Sequence, residues 1–151
     1  MKMCSACLIG EKCRYDGKDN LDKASPRLLE EYRKGEIKPV CPEQLGGLPT
    51  PRAGSRIVLG DGNYVLDGKS TVLTDDFEDV TEQYLKGAER ALQTAKDNGI
   101  TEAILKQGSP SCGCGYTQGG LGERKQIEGD GVTAALLKRN GISVKTEKDF
   151  L

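Results

Sequence analysis

The sequence predicts an α/β fold with a mostly parallel sheet flanked by helices, and three observations carry that expectation. Short apolar stretches of strand length alternate with amphipathic stretches of helical period. Glycine or Asn-Gly ends each helical stretch, as helix C-termini favour. Three cysteines, Cys7, Cys41 and Cys112, fall at or just past the ends of strand-like stretches, which is where parallel sheets hold their ligands.

The elements follow in order. The opening MKMCSACLIG begins with a short apolar strand through Met3 and Cys4, then runs into polar turns at Asp16-Gly17 and Asp19-Asn20. Ser25-Pro26 opens the first helix, because serine accepts from an exposed amide and proline suits the first helical position. That helix continues through Leu28, Leu29 and Tyr32 to a stop at Gly35, and Ile37 to Cys41 reads as a strand ending in Cys41-Pro42-Glu43. Residues 46–75 are rich in Gly, Pro and Thr. They read as loop with one hairpin, Ser55–Leu59 against Tyr64–Leu66 across Gly60-Asp61-Gly62. From Thr81 to Asn98 the apolar residues Tyr84, Leu85, Ala88, Ala91, Leu92 and Ala95 recur at i, i+3 and i+4, the signature of one buried helix face. Ala103 to Lys106 is a strand leading into Ser109-Pro110-Ser111-Cys112-Gly113. Gln118 to Gly129 reads as a solvated loop, with a cover over the site as the alternative. The last helix, about Gly131 to Arg139, and the strand Ile142–Lys145 close the chain.

A length of 151 residues suits a single domain, 1–151. The 22 Lys+Arg against 23 Asp+Glu leave a net charge of −1, so no global field points to nucleic acid or an acidic membrane. No apolar run is long enough for a spanning helix, and the first ten residues lack the apolar region of a signal peptide. The expectation is a cytoplasmic protein. Histidine is absent, which excludes Ser-His-Asp and Cys-His catalysis, an HExxH zinc site and a histidine pH switch. The six cysteines are Cys4, Cys7, Cys13, Cys41, Cys112 and Cys114. In a reducing compartment such a set points to metal binding or catalysis rather than disulfides, and thiolates without imidazole select zinc or an iron–sulfur cluster. Cys4 and Cys7 with Cys112 and Cys114 would also make a four-cysteine zinc site in a binding module. A metal-free thiol or sulfur-transfer protein is the third reading. Cys4, beside Met3 on a strand, suits a small core residue.

Ser5-Ala6-Cys7-Leu8-Ile9-Gly10 with Cys13-Arg14-Tyr15-Asp16-Gly17 resembles the opening signature of the DUF523 family. The run Cys41-Pro42-Glu43-Gln44-Leu45-Gly46-Gly47-Leu48-Pro49-Thr50-Pro51-Arg52 is similar to its second signature, Ser109-Pro110-Ser111-Cys112-Gly113 to its third, and Gly131-Val132-Thr133-Ala134-Ala135-Leu136-Leu137 to a fourth. The signatures come in family order over nearly the whole chain. The resemblance implies a Rossmann-like fold and a thiouracil desulfidase-like enzyme that removes sulfur from a small thiolated molecule without net redox change. It also implies a [4Fe-4S] cluster on Cys7, Cys41 and Cys112, with one iron left free. Cys13 lies inside the first signature, while Cys4 and Cys114 lie outside the signature positions. A fourth ligand among these three would close the free iron. A thiolated tRNA stays open as an alternative substrate.

On that reading, a thiocarbonyl sulfur is soft and prefers an open iron to a hard ligand. Water attack then needs a base, and without histidine a carboxylate is the candidate. Glu43, two residues after Cys41, is the expected catalytic base, with a helix-start or ion-pair role as its bland alternative. Asp16 is the second carboxylate and a substrate-binding candidate, although a turn role suits it. Ser109 is expected in catalysis and Ser111 in substrate binding, both also compatible with an ordinary Ser-Pro turn. Arg14 and Arg52 are candidates for a planar acceptor of the substrate, or for ion pairs.

Overall fold

A computed structural model describes all of residues 1–151. In chain order the elements are β1 (Lys2–Ser5), α1 (Pro26–Arg33), β2 (Ile37–Val40), α2 (Pro42–Leu45), β3 (Ser55–Ile57), α3 (Gly62–Leu66) and β4 (Val72–Thr74). There follow α4 (Thr81–Asp97), β5 (Glu102–Leu105), β6 (Tyr116–Gly119), β7 (Lys125–Glu128), α5 (Val132–Arg139) and β8 (Ser143–Thr146). A 3-10 turn over Ala6–Ile9 follows β1 directly.

The strands form two sheets. The first, in the order β2-β1-β5-β8, is parallel throughout. Alternation along its strands fills both faces. Met3, Ala103, Leu105 and Val40 face one core with Ala95 of α4 and Ala134 and Leu137 of α5. Cys4, Ile104 and Ile37 face the other, with Leu28 of α1 and Phe150. The second sheet, in the order β4-β3-β6-β7, is mixed, with β3 parallel to β6 and the outer pairs antiparallel. Its core of Ile57, Val72, Val65 and Val132 takes in Tyr84 and Ala88 of α4. The periodicity of α4 therefore serves both sheets: its first half covers the mixed sheet and its second half the parallel one. Ser25 caps α1 as its sequence suggests, its Oγ accepting from the Leu28 amide at 3.1 Å. No helix is long and apolar enough to cross a membrane.

Two sequence expectations are corrected. Tyr64–Leu66 is not the second arm of a hairpin: Gly62–Leu66 is helical because the Asp61 carboxylate accepts from the Asn63 amide at 3.0 Å and caps it. The antiparallel partner of β3 is β4, with Arg56 opposite Leu73. Nor is Gln118–Gly129 a loop. Most of it belongs to the β6–β7 hairpin, in which Gln118 pairs with Gln126 and Gly119 with Lys125. Its polar, glycine-rich composition hides the strands because β7 is mostly exposed.

Candidate active site: a thiol-lined cavity walled by both sheets

Three neighbouring strands of the parallel sheet, β2, β1 and β5, end at the same edge, and the segments leaving them carry the expected thiols. Cys7 sits in the 3-10 turn after β1, Cys41 directly follows β2, and Cys112 lies in the segment after β5. All three line one cavity of about 380 Å³, as do Cys13, Glu43 and Ser109.

Each thiol is held by its surroundings. The Asn20 amide donates to Cys7 Sγ at 3.2 Å, while its Oδ1 accepts from Arg14 at 3.1 Å. The Cys13 thiol, with its single proton shared toward both, lowers Cys7 and Cys41 from the usual thiol range, and Cys41 Sγ also lies 3.7 Å from the Cys13 carbonyl oxygen. Cys13, left with the proton between Cys41 and Cys7, is pushed far up. Burial pushes Cys112 well up, the Glu43 charge adding to it, and a bond to Ser5 partly opposes the rise. The Cys112 segment is pinned by Ser109, whose Oγ accepts from the Ser111 and Cys112 amides at 3.1 and 3.2 Å. It is pinned again by α5, whose first amides donate to Pro110 and Ser111 carbonyls at 2.8 and 3.0 Å.

Cys41 and Glu43 depend on a close backbone contact. Helix α2 lies on α4 through Gly46 and Gly87. A Cβ on Gly46 would stand 2.8 Å from the Gln83 carbonyl carbon, and one on Gly87 the same distance from that of Pro42. Glu43 is thereby presented to the cavity, its Oε2 accepting from Arg52 at 3.3 Å. The pair is sheltered, with side chains 7% (Arg52) and 13% (Glu43) exposed. Arg52 is fixed in turn by the Cys13 carbonyl at 3.0 Å and Thr50 Oγ1 at 3.1 Å.

Arg14 also lines the cavity. Two expected site residues do not. Asp16 is exposed, pairs with Arg14 at 2.9 Å and accepts from the Lys18 amide, so it builds the turn. Ser111 is buried with its hydroxyl on Thr133 Oγ1 at 2.8 Å, which ties the Cys112 segment to α5. The four-cysteine zinc grouping also fails: the Cys114 thiol points to the Val144 carbonyl at 3.6 Å, and Cys4 is fully buried with its thiol on the Ser5 carbonyl at 3.4 Å. Burial pushes Cys4 up to about 12, which suits a core thiol.

The sequence pattern did not point to Asn20, Tyr84, Gln118, Arg124 or Gln126, all of which line the cavity. Asn20 looked like a turn residue and Tyr84 like a core residue. Burial pushes the Tyr84 hydroxyl well up, with the Glu43 charge adding to it, so it stays protonated. Nowhere do three Cys, Asp or Glu side chains converge as a single-ion site. The cavity instead offers soft thiol donors from three separate segments, Cys7, Cys41 and Cys112, which is the donor type a cubane takes, one on each of three irons.

The fold and the cavity define a class: α/β proteins that gather thiols at the carboxyl edge of a parallel sheet, with a sheltered carboxylate beside them. A family model, 2-thiouracil desulfurase, matches residues 3–149, and the chain belongs to this family. It is 42% identical over 150 residues to the uncharacterized protein YbbK of Bacillus subtilis (strain 168), covering 99% of this chain and 97% of that one. Among solved structures it is similar to TudS, a [4Fe-4S]-dependent thiouracil desulfidase. The TM-score is 0.86 and the identity 39%, over 98% of this chain and 91% of that one.

Proposed function

We propose that this chain is a desulfidase acting on a small thiolated heterocycle of the 2-thiouracil kind, with a [4Fe-4S] cluster held by Cys7, Cys41 and Cys112. The carrying observation is the meeting of these three thiols with Glu43 in one cavity. A cavity of about 380 Å³ that must house both cluster and substrate suits a single ring. Six free cysteines fit a reducing, cytoplasmic setting.

Held by Cys7, Cys41 and Cys112, the cluster would supply a soft Lewis acid for the thiocarbonyl sulfur. Glu43 accepts the proton of the attacking water on a carboxylate whose other oxygen is anchored by Arg52. The water oxygen bonds to the thiocarbonyl carbon, the C–S bond breaks with its electron pair on sulfur, Glu43 returns the first proton to that sulfur, and the carboxylate then takes the remaining hydroxyl proton as C=O forms. The C=S group becomes C=O, sulfur leaves as sulfide, and no oxidation state changes. Ser109 keeps its hydroxyl proton free to orient the substrate while its oxygen holds the Cys112 segment. Tyr84, neutral at the cavity wall, offers no competing base.

The test is iron and acid-labile sulfide content of protein purified and reconstituted without oxygen, followed by sulfide and uracil release from 2-thiouracil. About four of each per chain are expected, lost in Cys7→Ala, Cys41→Ala and Cys112→Ala but kept in Cys4→Ala. Bound zinc without sulfide, or a full cluster without turnover, refutes the reading.

A further inference from the structure

Part of the cavity wall belongs to the β6–β7 hairpin. Gln118 on β6 and Gln126 on β7 are direct cross-strand partners, and directly opposed residues project from the same face. Both line the cavity that holds the thiols.

The surrounding wall is shaped to receive side chains from β7 and the turn before it. Gly108 lies in it at φ +90°, and the Gln126 amide nitrogen stands 2.9 Å from where a Cβ would be. At Gly54 the Arg124 guanidinium occupies the corresponding space, 2.5 Å from such a Cβ. A side chain at either glycine would displace the residue lying on it.

The polar groups of this wall differ in their commitments. Arg124 is held by Asp75 at 2.9 Å and lies over the Tyr15 ring, 5.1 Å from its centroid. Gln107 donates to the Cys114 carbonyl at 3.5 Å. The carboxamides of Gln118 and Gln126 make no hydrogen bond within the chain, although they face a cavity. Each offers an acceptor and two donors side by side. The complement of such a group is a ring N–H beside a ring C=O.

We infer that Gln118 and Gln126 read the lactam edge of the substrate, which restricts it to six-membered thio-heterocycles carrying a ring carbonyl next to a ring N–H. This rests on the desulfuration reading above and adds to it the part of the substrate that is selected. Simple cyclic thioureas, which present the same C=S group without the carbonyl, are poor substrates for lack of a partner at these two amides.

The experiment compares iron-loaded wild type, Gln118→Leu and Gln126→Leu on 2-thiouracil and on tetrahydropyrimidine-2-thione, a cyclic thiourea with no ring carbonyl. Losing a neutral hydrogen bond is expected to raise KM for 2-thiouracil roughly five- to tenfold per variant. The expected kcat changes less, and both iron content and the slow turnover of the thione stay as in wild type. Unchanged KM, or an equal loss on both compounds, overturns the inference. Gln126 is exposed, so Gln126→Leu carries the test if Gln118→Leu fails to fold by circular dichroism. Wild type that holds its cluster but turns over neither compound refutes the desulfidase reading alone. Equilibrium dialysis of 2-thiouracil then decides the glutamines: weaker retention by the variants upholds them, and equal or absent retention overturns them.

Discussion

Replacing Gly87 by alanine tests whether the α2–α4 contact holds the segment that carries Cys41 and Glu43. The added Cβ would stand 2.8 Å from the Pro42 carbonyl carbon and 3.3 Å from the Gly46 amide nitrogen. Both are backbone atoms, so no rotamer change relieves the overlap. Overpacking of this kind costs about 3 kcal/mol at the upper end of its range. Alanine in a helix interior returns about 1 kcal/mol of propensity. The net is a loss of about 2 kcal/mol, or a Tm roughly 4–8 °C lower for a chain of this length. Glu89→Ala, on the exposed side of the same helix, is the control and is expected within about 0.5 kcal/mol of wild type. Thermal unfolding by circular dichroism measures both. Because α2 carries Glu43 and follows Cys41, folded Gly87→Ala is also expected to lose turnover out of proportion to its stability. A Tm equal to or above wild type would refute the argument, since it would mean that the two helices separate freely.

Glu43→Gln keeps the Arg52 contact but removes the proposed base; turnover is expected to fall about 10²- to 10⁴-fold with iron content unchanged, checked by sulfide release and iron assay. Cys13→Ala removes a thiol that neighbours Cys7 and Cys41 without itself following a strand end, and it is expected to retain about four irons per chain. Loss of the cluster in that variant would show the ligand set to be wrong. Ser109→Ala strips the acceptor from two amides at 3.1 and 3.2 Å. It is expected to cost about 1–2 kcal/mol in thermal unfolding and to release iron to a chelator faster than wild type.

The parallel sheet was legible because its signals are local. Ser25-Pro26 starts a helix on its own chemistry, and the apolar stripe of α4 repeats over 17 residues. The mixed sheet was not legible. Strands β3 and β4 have three residues each, too few to show a period. The β3–β6 pairing of Ile57 with Gly119 joins distant parts of the chain. In α3, a run of Tyr64, Val65 and Leu66 fits either period, and the Asp61 cap decided it. The site divided the same way. The thiols stood out by residue type and by their places after strands. Asn20, Gln118 and Gln126 carry no chemical signature of their own, and only the folded chain reveals that they share a cavity with Cys7.

The cavity has two walls of different origin, and that has a consequence for how such proteins diversify. The thiols and Glu43 leave the ends of the parallel sheet, whose core residues constrain every neighbour. Gln118 and Gln126 ride on a hairpin at the margin of the mixed sheet, and β7 is its outermost strand. A new hairpin grafted there would alter which molecule is admitted while leaving the reactive end intact. Inheritance of the chemistry and inheritance of the preference are thus separable, and relatives with the same thiols but different residues at 118 and 126 are expected to process different sulfur compounds.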